Sequence, residues 1–244
     1  MTHNWQENTW TDLESERPHV ALLPVGSTEA HGPHLPLSTD SIISTEMARR
    51  AAIQLRTFNV RATILPCLDY AITEFSKDFP GTISIRKETF QNLLGDIADN
   101  LASQSIRLLC IVNSHLEPDH IQAIEEFCVS CDKLPVLFPD KTKKPWGSLL
   151  TPEFKQGACH AGSYETSLVL SAREDLVRPE RSRLKPNPVN LAKLMKAGVK
   201  SFREAGAGQA YFGDPARATK EEGEQTYRIL TEMIVESVLE RLNR

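Results

Sequence analysis

The sequence predicts an α/β fold on a mostly parallel sheet flanked by helices, and three observations carry that prediction. Apolar runs of strand length alternate with amphipathic helical stretches through the first 140 residues, the pattern of successive βαβ units. One run, Leu108-Leu109-Cys110-Ile111-Val112, is apolar at every position, as in a strand buried on both faces. The composition is that of an ordinary globular chain, with 40% hydrophobic, 25% charged and 7% aromatic residues in 244. That balance excludes collagen-like, low-complexity and disordered classes. The length suffices for one sizeable core. No internal repeat or composition shift divides the chain, so residues 1–244 are expected to form a single domain.

The elements follow in order. His19 to Val25 is a short apolar run between Pro18 and Gly26, and reads as the first strand. Ser41 to Leu55 reads as a helix, because Ile42, Ile43, Met47, Ala51 and Ile53 recur near helical spacing; Asp40 or Ser41 is placed to cap it. Val60 to Pro66 alternates as a strand, and Gly81 to Ile85 is a further short one. Leu93, Ile97 and Leu101 mark an amphipathic helix. After the 108–112 strand, Pro118 can open a helix, where it needs no backbone donor, with Ile121, Ile124 and Phe127 on its apolar face. Leu134 to Phe138 is a last strand, Pro139 to Cys159 is loop-like, and Pro179 to Pro188 is a basic surface loop. Helices close the chain around Leu191–Phe202 and Thr219–Leu242.

Charge and cysteine usage narrow the partners. Against 32 Asp and Glu stand 28 Lys and Arg, scattered along the chain, for a net charge of −4. No basic excess favours nucleic acid or an anionic membrane, and no apolar run approaches the roughly 20 residues of a membrane span. Met1 to Glu7 lacks the basic region and apolar stretch of a signal peptide. The five cysteines are an odd number; Cys128 and Cys131 form a C-x-x-C pair with no second pair at zinc-finger spacing. A reducing cytoplasm is the expected location.

Three polar clusters carry the chemistry. Directly after the first strand, Glu29, His31 and Asp40 stand in a Gly- and Pro-containing loop, at the strand end where open α/β sheets bind ligands. In extended chain, positions two apart share a side, so Glu29 and His31 can reach one site, and Gly32-Pro33 can turn Asp40 back towards it. The second cluster repeats this arrangement: His115 and Glu117 stand two apart after the 108–112 strand. Five mixed nitrogen and oxygen ligands, three of them carboxylates, exceed what one tetrahedral zinc requires. They suit a pair of divalent ions with one of the carboxylates bridging. Zinc is the first expectation, with manganese or iron also suited to such ligands. In the third cluster His160 precedes a glycine and Glu165 opens the next helix, a histidine able to carry a proton with a carboxylate to orient it. Asp119, His120 and His34 read as surface, capping or solvent-facing groups.

The run from Leu23 to Asp40, Leu-Pro-Val-Gly-Ser-Thr-Glu-Ala-His-Gly-Pro-His-Leu-Pro-Leu-Ser-Thr-Asp, resembles the signature of the creatininase (creatinine amidohydrolase) family. Phe79-Pro80-Gly81-Thr82-Ile83-Ser84, Asn113-Ser114-His115, His160-Ala161-Gly162 with Glu165-Thr166-Ser167, and Gly213-Asp214-Pro215 with Ala218-Thr219 and Gly223 match in the same order. The resemblance implies a three-layer α/β sandwich related to flavodoxin. It also implies a binuclear site on Glu29, His31, Asp40, His115 and Glu117, with His160 and Glu165 nearby, and a homo-oligomer, often a hexamer. The implied activity is metal-dependent hydrolysis of a non-peptide C–N bond in a small cyclic amide or formamide, by a hydroxide bridging the two ions. His160 would pass the proton to the leaving nitrogen, with Glu165 and Glu117 as the other catalytic carboxylates.

The departures from the family pattern bear on substrate. Many members carry His-Gly-Gly-Asn where this chain has His115-Leu116-Glu117-Pro118, whereas creatininase proper has the carboxylate. The tryptophan that creatininase proper places before its equivalent of His160 is missing; Phe154 is the aromatic residue in that segment and Trp146 lies further upstream. Ser76 stands where many members have a histidine. Ser76, Trp146 and Phe154 are therefore the expected substrate-pocket residues. Two alternatives stand beside the amidohydrolase: a metal-dependent peptide-maturation protease of the same family, and a catalytically silent metal-binding scaffold.

Overall fold

A computed structural model describes residues 3–243; Met1 and Thr2, part of the segment read for a signal peptide, lie outside the described residues. Four strands, β1 (Val20–Val25), β2 (Ala62–Ile64), β3 (Leu108–Asn113) and β4 (Val136–Leu137), form one all-parallel sheet in the order β2-β1-β3-β4. Nine α-helices are described: α1 (Trp10–Glu16), α2 (Thr39–Thr57), α3 (Lys87–Ser103), α4 (Pro118–Ser130), α5 (Trp146–Leu149), α6 (Pro152–Gln156), α7 (Ser163–Arg173), α8 (Leu191–Lys196) and α9 (Lys220–Leu242).

Strand alternation divides the core into two. Val20, Leu22, Leu108, Cys110 and Val112 face one side and pack with residues of α2, α7 and α9, among them Met47, Ala51, Leu168 and Leu230. Ala21, Leu23, Val25, Leu109 and Ile111 face the other, against Phe90 and Leu94 of α3 and Ala123 and Ile124 of α4. Every residue of β1 and β3 is buried, which is why both sequences are apolar throughout apart from the Asn113 terminus. The three layers follow directly: a strand with two buried faces needs helices on each. A smaller cluster, including Ala30, Ala158, Leu191, Phe202 and Phe212, lies beyond the sheet ends.

Several elements differ from expectation. The Val60–Pro66 strand is only Ala62–Ile64, and Leu134–Phe138 only the half-buried Val136–Leu137; both are edge strands with a single partner. Residues 81–85 form no named strand, because Ile83 and Ser84 pair as isolated bridges with the loop residues Thr28 and Ala71. The 139–159 loop contains α5 and α6, the second started by Pro152 and capped by Thr151 Oγ1. The helix expected through Phe202 ends at Lys196, two residues before Gly198 with its φ of +93°. All five cysteines are free, and Cys128 and Cys131 pack against the second core cluster as small apolar groups. Among the described residues no helix is long and apolar enough to cross a membrane.

Candidate metal centre

The site starts from the register of the two central strands. β1 and β3 run side by side with Val25 opposite Asn113, so the segments leaving them emerge together at the carboxyl edge. The connection from β1 goes to β2 on one side while β3 lies on the other, the switch point at which open parallel sheets bind ligands. Gly26 lets α2 return to this edge. A Cβ there would stand 2.3 Å from the Ser41 backbone nitrogen, so only glycine permits the approach that delivers Asp40. The expected capping role of Asp40 gives way to another: it lies inside the first turn of α2, and its Oδ2 accepts the Ser27 hydroxyl at 2.8 Å.

Three imidazoles are each anchored by one ring nitrogen on a backbone carbonyl. His31 Nδ1 lies 3.2 Å from Glu29 O, His115 Nε2 2.8 Å from Ile72 O, and His160 Nε2 3.0 Å from Ala30 O. Those nitrogens carry a proton, so the opposite nitrogen of each ring points inward, able to give a lone pair to a metal ion or, without one, to hold a second proton. His115 Nδ1 faces Glu29 Oε1 at 3.1 Å and Asp40 Oδ2 at 3.2 Å. His31 Nε2 lies 3.8, 3.7 and 3.5 Å from oxygens of Glu29, Asp40 and Glu165, and this buried atom has no hydrogen-bond partner. His160 Nδ1 is 4.0 Å from Glu29 Oε1. The carboxylates are held from behind. Glu29 Oε2 accepts the hydroxyls of Thr73 and of Ser76, the latter at 2.9 Å. Glu165 Oε2 accepts the backbone N–H of Ala161 at 2.7 Å, which Ala161 presents from a left-handed backbone with φ of 51°.

The donor atoms sort into groups of three whose members lie within 4.8 Å of one another: Glu29–Asp40–His115, His31–Asp40–Glu165 and Glu29–His31–His160. Nitrogen and oxygen ligands on one tetrahedral zinc, with bonds near 2.0–2.2 Å, stand roughly 3.3 Å apart. Buried imidazole nitrogens set against carboxylates need a positive charge between them, either a proton or a metal cation. The residues present therefore fit divalent metal.

Glu117 takes a different place from the other expected ligands. Its Oε1 accepts Glu74 N–H at 2.9 Å and its Oε2 accepts Phe75 N–H at 3.2 Å, and it joins none of the three donor groups. Glu165 joins one of those groups instead, with His31 and Asp40. Burial also separates the titrating groups. It raises Glu29, but His115, His160 and His31 outweigh it and bring that carboxyl to about 2. Burial opposes the charged form of His31, yet Asp40, Glu165 and Glu29 raise it to about 10. Glu117 is pushed up to about 7 by burial against the pull of His115, and Glu165 to about 7 by burial against His31. His160 falls to about 4, from burial and the neighbouring His31.

A cavity of about 810 Å³ opens onto this centre, with Glu29, Asp40, His115, Glu117, His160 and Glu165 among its lining residues. Of the expected pocket residues only Phe154 lines it; Trp146 packs against the core and Ser76 is fully buried behind Glu29. Two histidines expected at the surface are internal. His34 is fully buried, with Nε2 2.9 Å from Thr166 Oγ1. His120 is fully buried, with Nε2 3.2 Å from Asn113 Oδ1. Sequence reasoning also missed Thr73 and Lys141. The Lys141 ammonium is buried 3.3 Å from Ser114 Oγ, and neither residue sits in a motif that announces it.

An α/β sandwich with buried carboxylates and imidazoles at the switch point defines a metal-dependent hydrolase. The family model described as Creatininase, creatinine amidohydrolase, matches residues 6–238, and the chain belongs to the creatininase family. It is 31% identical over 238 residues to the mycofactocin precursor peptide peptidase of Mycobacterium tuberculosis, covering 94% of this chain and 88% of that one. It is 28% identical over 198 residues to the creatinine amidohydrolase of Pseudomonas putida, covering 72% and 74%. A mutant creatininase complexed with creatine superposes with a TM-score of 0.79 at 22% identity, over the whole of both chains. Solved structures of the same fold include a manganese creatininase and a Zn-Zn form, with TM-scores of 0.74 and 0.75 at 22% identity, again over the whole of both chains.

Proposed function

We propose that residues 1–244 act as one hydrolase domain that holds two divalent ions and cleaves an amide C–N bond, the substrate being a short peptide. The observation that carries the two-ion reading is that Asp40 turns a different oxygen to each of two imidazoles, Oδ2 to His115 Nδ1 at 3.2 Å and Oδ1 to His31 Nε2 at 3.7 Å, as a bridging carboxylate must. Zinc or manganese suits these ligands. When bound, the ions polarise the amide carbonyl and lower the pKa of water to give a nucleophile near neutral pH.

The chain's own residues supply the proton handling. His160 lines the cavity with its Nε2–H fixed on Ala30 O. Its depressed pKa keeps Nδ1 unprotonated at neutral pH, free to accept a proton and deliver it to the leaving nitrogen. Glu117 lines the same cavity, and in the metal-free protein burial pushes its carboxyl up to about 7. Two backbone N–H groups fix its orientation, so it serves as a second proton-holding group rather than a ligand.

A peptide is favoured over a small ring because the cavity, about 810 Å³, is in the range that encloses a drug-sized ligand. The peptide peptidase relative also matches more of this chain, at higher identity, than the Pseudomonas creatinine amidohydrolase does. That amidohydrolase supports the second reading, a small cyclic amide. Steady-state assays of the metal-loaded protein against short peptides, creatinine and simple formamides separate the two. Peptide bond cleavage at the highest kcat/KM is expected. Turnover confined to the cyclic amide would replace the peptide, and no turnover of any amide by fully loaded protein would leave a metal-binding scaffold.

A further inference from the structure

The mouth of the cavity differs in charge from its inner end. Its only acidic lining residues are Glu29, Asp40, Glu117 and Glu165, all buried at the metal centre. Four lysines line it further out: Lys144 before α5, Lys155 on α6, and Lys193 and Lys196 on α8. All four are exposed, and none forms a salt bridge among the described residues, unlike Lys77, Lys87, Lys133, Lys143 and Lys220. The chain as a whole carries −4, so four unpaired ammonium groups around one opening do not follow from a generally basic surface. Phe75 and Phe202 line the same cavity and lower its dielectric, which strengthens the field of nearby charges.

A neutral substrate gains nothing from this arrangement. Lysines left unpaired around a cavity mouth favour a ligand with negative charge some distance from the bond being cut, and repel a cationic one. We propose that Lys144, Lys155, Lys193 and Lys196 select an anionic amide substrate, whose carboxylate or phosphate groups lie at the mouth while its scissile amide reaches the metal centre. This rests on the amide-hydrolase reading above and names the substrate class for it. The lysines act on binding and on encounter; the proton-handling groups are untouched by them.

The test uses binding, so that it does not depend on turnover. Three fluorescently labelled peptides of equal length, carrying six Glu, six Gln or three phosphoserine residues so that the two anionic ones are close in charge, are titrated into the chelator-treated protein at low and high salt. Glu and phosphoserine peptides should bind on the order of tenfold or more tightly than the Gln peptide, and the difference should shrink with salt. The stronger of the two names carboxylate or phosphate as the natural group. Lys193→Glu with Lys196→Glu should abolish the preference. Lys144→Gln with Lys155→Gln should weaken it, and provides a second variant pair if the first fails to fold. Equal affinity for the Glu, phosphoserine and Gln peptides would overturn the inference, as would a preference unchanged in both lysine pairs. Hydrolysis of uncharged amides by the metal-loaded wild-type protein tests the catalytic reading separately, so the two failures are distinguishable.

Discussion

Asp40 faces both His31 and His115, and losing it should be felt at both proposed ion positions. Asp40→Ala is expected to bind close to no metal, Glu165→Gln to lose about one ion per chain, and Glu117→Gln to keep both; elemental analysis of purified variants measures all three. Full occupancy in Asp40→Ala would sink the two-ion site, and loss of metal in Glu117→Gln would return that residue to the ligand set. His160→Ala should keep its metal and lose turnover by about 10² to 10⁴, the usual contribution of a general acid–base group. A wild-type rate in that variant would make His160 structural. Glu29, His31, Asp40 and His115 were legible because each stands at the end of an apolar run, two apart from a partner or at a helix start. That Glu165 rather than Glu117 falls within the donor groups was not legible. It depends on the loop bearing Glu74 and Phe75, whose N–H groups claim the Glu117 carboxylate across 43 and 42 positions of chain. His34 and His120 were misplaced at the surface for a related reason: Thr166 lies 132 positions from the first, and no local pattern announces such a partner.

The elements were legible in proportion to how fully they are buried. β1 and β3, enclosed on both faces, were readable as apolar runs, whereas β2 and β4 at the sheet edges have one partner each and are shorter than their apolar stretches. Packing between helices was hidden, because it turns on single polar contacts. Arg50 of α2 forks onto Glu224 of α9, Nη1 to Oε2 at 2.8 Å and Nη2 to Oε1 at 2.9 Å. Its Nε also reaches Glu46 Oε1 at 2.7 Å, and its guanidinium lies 4.5 Å from the Tyr227 ring centre. Glu224 Oε1 accepts the Ser171 hydroxyl of α7 as well, at 2.5 Å, so one ion pair joins the three helices of that layer. A bidentate pair exceeds a simple surface pair, but Glu224 is 38% exposed and solvent screening reduces its worth. Arg50→Ala should therefore cost about 1–2 kcal/mol, which lowers Tm by roughly 2–4 °C per kcal/mol in a chain of this size. Arg50→Lys should recover only part, since an ammonium cannot make both bonds. A double-mutant cycle with Glu224→Gln measures the coupling; additive losses would show that the fork contributes nothing beyond its separate parts.

Across the whole molecule, assembly and metal decide how the protein behaves in solution. The family resemblance implies a homo-oligomer, and light scattering at micromolar concentration should give a multiple of 27.3 kDa, a monomer mass being the contrary result. Metal should stabilise the fold, because ligands from the loop after β1, the start of α2, the end of β3 and the start of α7 are tied together. That stabilisation should depend on pH in a definite direction. In the metal-free protein His31 holds a proton up to about pH 10, whereas in the unfolded chain it releases one near the ordinary histidine value of about 6.5. Between those values the folded state binds more protons than the unfolded state. The contribution is thus complete below about 6.5 and is lost as pH rises through about 10, at no more than about 1.4 kcal/mol per pH unit for one group. His115, raised by Glu29 and Asp40 despite its burial, acts in the same direction. Glu29, brought down to about 2, loses its contribution only as pH falls through that value, far from this window. Zinc bound at these imidazoles excludes the protons, so the loaded protein should lack the alkaline decline. Thermal melts with stoichiometric zinc and with chelator at pH 7 and pH 8.5 test this, and the difference in Tm should widen at the higher pH. A difference that stayed constant or narrowed would mean that His31 and His115 are not the groups the metal displaces protons from.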